Sequence, residues 1–124
     1  MIGLAGYKVL HILGALFLFT ALGGLLLASR AGVQSGASRK TAGMTHGIAL
    51  IIILVSGFGA LAQIGLSNPG IWPLWLWLKV ALWLAFGGVI VLIRRSPGSA
   101  TALWWVLPIL GAATAYLALY KPTF

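Results

Sequence analysis

Four apolar runs, at about 4–28, 44–66, 72–93 and 101–120, take up most of the chain. Each is close to the roughly 20 residues that an α-helix needs to cross the hydrocarbon core of a bilayer. In lipid a segment must satisfy its own backbone hydrogen bonds, so runs of this kind are helices. The predicted fold class is therefore all-α membrane protein. It is a single domain over 1–124, with four transmembrane helices in an up-down-up-down bundle and both termini on the same side. Charge supports the class: 6% of residues are charged, against about 25% in soluble domains. The first run is longer than the roughly 7–15 apolar residues of a signal peptide, which predicts a retained helix. The sequence has no cysteine, so disulfides, thiolate metal sites and iron–sulfur clusters are excluded.

The chain has 8 Lys and Arg, no Asp or Glu, and 2 His. A strongly basic chain invites a nucleic-acid reading, but these charges sit at the ends of apolar runs, where they set topology. Arg30, Arg39, Lys40, Arg94 and Arg95 fall in the two loops on one side. Lys8 and Lys121 lie near the termini on the other, with Lys79 inside the third run. The positive-inside rule makes the loop side cytoplasmic and places both termini outside. Trp72, Trp75 and Trp77 at one boundary, and Trp104 and Trp105 at the other, take interfacial positions. The lipid bilayer is the implied partner, and no nucleic acid is.

A faint internal repeat relates "ALGGLLLASR" (21–30) to "AFGGVIVLIRR" (85–95). True duplication and chance recurrence of Gly-Gly before arginine both stand as explanations. Either way, small residues allow membrane helices to approach closely. Gly23-Gly24 and Gly87-Gly88 are candidate contact faces for a homodimer or a larger complex, and Gly43 and Gly47 a candidate close contact at the start of helix two. Pro108 is expected to bend helix four.

Polar groups within membrane spans are costly and mark candidate sites. Here they are His11, His46, Ser56, Gln63, Lys79, Thr114 and Tyr116. Helices one and three enter from the terminal side, which puts His11 and Lys79 at similar depths of roughly 10 Å. Helix two enters from the other side, so His46 is expected within a turn of the cytoplasmic surface, where water reaches it. The two histidines then cannot be paired axial ligands of one haem. Tyr7 shares a helical face with His11. The predicted polar layer comprises Tyr7, His11, Gln63, Lys79 and Tyr116. It carries a cation with no internal carboxylate. Lys79 has four outcomes: it snorkels, it pairs with carbonyls and water, it meets an external anion, or it loses its proton and binds a metal. For His11 the plain alternative to a ligand role is a neutral ring hydrogen-bonded to a neighbouring helix.

The order of Lys8-Val9-Leu10-His11, then His46 and Ser56-Gly57, then Trp75 or Trp77 ahead of Lys79, then Gly87-Gly88 and Arg94-Arg95 resembles the SirB-like family of small bacterial membrane proteins over about 7–121. That resemblance implies a multi-pass protein of the bacterial inner membrane. The family carries an acid soon after the helix-two histidine; this chain has Ala49 in that region and no acid. More distantly, the chain is similar to the HemJ family of membrane protoporphyrinogen oxidases and to CopD-type proteins. In HemJ proteins an early histidine and a later lysine are implicated in haem binding, and His11 and Lys79 match them. This similarity, carried by those two residues, implies haem b as cofactor, with His11 as iron ligand and Lys79 as second ligand or propionate partner; the depth argument adds Tyr7, Gln63 and Tyr116 as candidate binding residues in the same layer. Imidazole ligation of haem iron is consistent with it.

Three function classes follow: a haem-binding or redox-linked membrane protein, a non-catalytic subunit or anchor of a larger assembly, and an anion transporter. A carboxylate-dependent proton or cation exchanger is excluded by the lack of acids. No nucleophile–base pair, carboxylate pair or phosphate loop is present, so no catalytic residue is assigned. An enzymatic role would be of the HemJ kind.

Overall fold

The computed structural model describes residues 3–33, 36–66 and 68–120. The helices are α1 (Leu4–Arg30), α2 (Ala37–Gln63), α3 (Leu74–Arg95) and α4 (Ala100–Tyr120), with short 3-10 turns at Pro69–Ile71 and Pro97–Ser99. All four are long and apolar enough to cross a membrane. Lys121 lies outside the described residues.

Helix α2 begins at Ala37 rather than near 44. Reading apolar runs finds only the part of a helix that faces hydrocarbon, and the polar turns "ASRKTAG" precede it. The same helix stops at Gln63 instead of 66 because Gly65 takes φ +77. Leu66 N–H then donates to Leu61 O at 2.9 Å and Gly65 N–H to Ala62 O at 3.4 Å, the paired bonds of a Schellman cap. Helix α1 ends in the same way at Gly32 (φ +76), with Val33 N–H donating to Ala28 O at 2.8 Å. Trp72 stands outside α3, its indole N–H donating to Leu66 O at 2.6 Å. Helix α4 runs through Pro108 unbroken.

Helices α1 and α2 meet along nearly their whole length on small residues. The Tyr7 ring lies where a Cβ on Gly59 would stand, and Gly14 lies over Ile52 and Ile53. Gly24 faces Ala42, and Ser29 reaches Arg39. The main core joins all four helices through Leu22, Leu25, Ala49, Phe86, Ile93 and Leu107, and Phe19 meets Phe86 edge-on at 5.3 Å. Ala49 is fully buried in this core, so a carboxylate at that position would lose its hydration. A second cluster, Leu61, Trp75, Leu76 and Leu117, closes the other end. Gly43, Gly47 and Gly88 have open space around them, whereas Gly23 and Gly87 pack within the chain against Trp104 and Leu50.

Candidate functional site

His11 is the best-positioned polar group in the spans. Its Nδ1 lies 3.0 Å from Ile53 O and 3.1 Å from Ser56 Oγ, both on α2. The Ile53 carbonyl only accepts. The single Ser56 hydroxyl proton is committed to Ile52 O at 2.6 Å, so Ser56 Oγ accepts from His11 as well. Nδ1 therefore carries the proton, and in the neutral ring Nε2 keeps its lone pair. Gly57 makes room for the ring: a Cβ there would stand 3.4 Å from His11 Cε1. Metal-binding histidines are commonly fixed in this way, with one ring N–H held by a carbonyl and the other nitrogen left to coordinate.

Lys79, half-buried on α3, is close enough to His11 to act on it electrostatically. The buried Trp75 lies one turn before it. Tyr7 is half-buried one turn before His11, flat against Gly59. The structure thus brings Tyr7, His11 and Lys79 to one end of the bundle. Gln63 ends α2 in an exposed position. Tyr116 is exposed, stacks on Tyr120 at 4.7 Å and lines an open apolar groove of ≈ 390 Å³ with Leu78 and Leu82.

His46 differs from the sequence expectation. It is buried to 4% exposure, and its Nε2 donates to Phe86 O on α3 at 2.9 Å. Because α2 starts at Ala37, His46 lies about 14 Å along the helix, at 1.5 Å per residue. Its proton is on the nitrogen opposite to that of His11, and its bond ties α2 to α3. Thr114 bonds within its own helix, to Leu110 O at 2.9 Å. Among the described residues, no group of three His, Asp or Glu side chains comes together to hold a metal ion.

Sequence reasoning missed two features. Trp83 donates its indole N–H to Leu50 O at 3.1 Å, a second tie between α2 and α3. Arg39 is buried, bonded through Nη1 to Val33 O and Ser29 Oγ, and its Nη2 has no hydrogen-bond partner among the described residues. A loop arginine reads as a topology signal, and only the early start of α2 shows that this one turns inward. Comparison with protein-family models, curated proteins and solved structures finds no match for the chain.

Proposed function

We propose that this is a multi-pass protein of the bacterial plasma membrane that binds haem b through His11, with Lys79 as second ligand or as partner of a propionate. The observation that carries the reading is the clamp of His11 Nδ1–H on Ile53 O and Ser56 Oγ, which reserves Nε2 for a ligand. The donor set would fit a haem held by one imidazole, with a cation beside it. Tyr7 and the apolar turns of α1 and α2 supply surface for a largely apolar macrocycle. Bound haem would supply one-electron chemistry at iron. This chain's residues would orient the ring nitrogen, balance propionate charge and exclude water.

The test is an absorption spectrum of the protein purified after expression with haem available. A Soret band that disappears in His11→Ala and persists in His46→Ala supports the reading; a wild-type protein without a Soret band rejects it. The proposed topology is up-down-up-down with both termini outside the cytoplasm. In support, Tyr7 and His11 near the start of α1 meet the last turns of α2, while Ser29 near the end of α1 meets Arg39 in the first turn. A periplasm-active reporter fused to the C-terminus checks this, and activity of a cytoplasm-only reporter there would reverse it. The second reading, a non-catalytic subunit or anchor, is favoured by the lack of any Asp or Glu: a basic bundle draws its counter-charges from a partner or from lipid. Stoichiometric co-purification of another chain with a haem-free protein would select it.

A further inference from the structure

Arg39 is a buried cation that no anionic side chain compensates among the described residues. It is 8% exposed, and its side chain is a cationic guanidinium with five N–H donors. Nη1 is used, at 3.0 Å from Val33 O and 3.5 Å from Ser29 Oγ. Nη2 is enclosed and has no hydrogen-bond partner among the described residues. An uncompensated buried charge is strongly unfavourable, and the sequence contains no Asp or Glu to compensate it.

The surroundings are those of an anion site. Arg39 lies in the first turn of α2, a 27-residue helix whose N-terminus has no side-chain cap and no acid in its first turn. The first-turn N–H groups and the positive end of the helix dipole favour an oxyanion there. Arg30 and Lys40, both exposed, adjoin Ser29 and Arg39 in sequence. Ser29 is itself buried at the end of α1. A guanidinium fork on the first turn of a helix matches the several oxygens of a phosphate better than a single carbonyl.

We propose that this end of the α1–α2 pair is a phosphate-binding site, with Arg39 Nη2 and the first-turn N–H groups of α2 as the donors and Arg30 and Lys40 as flanking cations. The phosphate belongs to a lipid headgroup or is free in solution. The proposal is independent of the haem reading, because Ser29 is about 27 Å along α1 from His11, at 1.5 Å per residue.

The experiment uses the full chain in neutral detergent and follows its thermal unfolding midpoint. Phosphatidylglycerol, phosphatidylcholine and inorganic phosphate are titrated separately. A saturable rise is expected with at least one probe. A rise with lipid alone assigns a headgroup, and a rise with inorganic phosphate assigns the free ion. Arg39→Lys and Arg39→Gln should each weaken the response about tenfold or more, the loss expected for removing a charge-assisted bidentate contact. Should these variants fail to fold, the double variant Arg30→Gln/Lys40→Gln, at two exposed positions, should weaken it several-fold. Lys8→Gln, at the far end of α1, should leave it unchanged. A flat response to all three probes, or an equal loss in Lys8→Gln, overturns the proposal.

Discussion

Replacing Gly14 with alanine tests the seam that holds His11 in place. A Cβ at Gly14 would stand 2.9 Å from Ile53 Cγ1, 3.0 Å from Ile52 Cγ2 and 3.2 Å from Ile53 N. Carbon atoms settle at about 3.5–4.0 Å, so the shortfall is about half an ångström. The isoleucines cannot easily yield, because β-branched side chains in a helix have essentially one χ1 rotamer. The backbone nitrogen can move only if α1 and α2 part. Overpacking of this kind costs about 1–3 kcal/mol, offset by up to about 1 kcal/mol of helix propensity gained over glycine. Gly24→Ala is the internal control on the same seam. Its nearest new neighbour is Ala42 Cβ at 3.7 Å, an ordinary contact, so it keeps the propensity gain without the clash. Gly14→Ala should therefore be about 1–3 kcal/mol less stable than Gly24→Ala. The assay is reversible unfolding in mixed micelles with rising dodecyl sulfate, read by tryptophan fluorescence. His11 is one turn from Gly14 on the same face, so Gly14→Ala should also lengthen the 3.0 Å bond to Ile53 O and weaken any ligand held by His11. If Gly14→Ala is as stable as Gly24→Ala, the close approach of α1 and α2 is not the constraint argued here.

His46→Leu removes the bond to Phe86 O and should cost about 0.6–1.7 kcal/mol, the range for interhelical hydrogen bonds in membranes. In the same unfolding assay it should do so without changing a haem spectrum, since its role is to join helices. Gly59→Ala places a Cβ within the Tyr7 ring and should destabilise by about 1–3 kcal/mol. A double variant with Tyr7→Ala should recover much of that loss, because both changes act on one contact; strict additivity would show that Tyr7 does not rest on Gly59.

The four helices were legible because apolar length alone decides whether a segment spans a bilayer. Their ends were not. The start of α2 is polar, and its stop depends on φ +77 at Gly65, which hydropathy does not encode. The site was legible in part. Equal depth placed His11 and Lys79 together, and they do interact. Depth along a helix says little about direction around it, so Tyr116 was grouped with residues it does not face; it lines the α3–α4 groove instead. The same limit hid Arg39. Its position between apolar runs reads as a topology signal, and the inward turn depends on packing against Ser29 and Val33.

A chain without acids has to hold its buried polar groups by other means, and backbone carbonyls do so here. Ile53 O, Phe86 O and Leu50 O, all within helices, accept from His11, His46 and Trp83. Each carbonyl has a second lone pair beyond its helical bond, so the helices are tied without a buried ion pair and without its desolvation cost. This device serves a group with one proton to place. The indole of Trp83 and the imidazole of His46 are each tied by a single N–H. A guanidinium has five N–H groups, and two acceptors near Arg39 leave Nη2 unmatched. His11 is unmatched in the opposite sense: its one proton is placed and a lone pair remains. Carbonyls accept and cannot donate, so they cannot use that lone pair. The two ends of α1 therefore differ in what they leave over, a lone pair at His11 and N–H donors at Arg39, because the acceptors around both are carbonyls and the hydroxyls of Ser56 and Ser29.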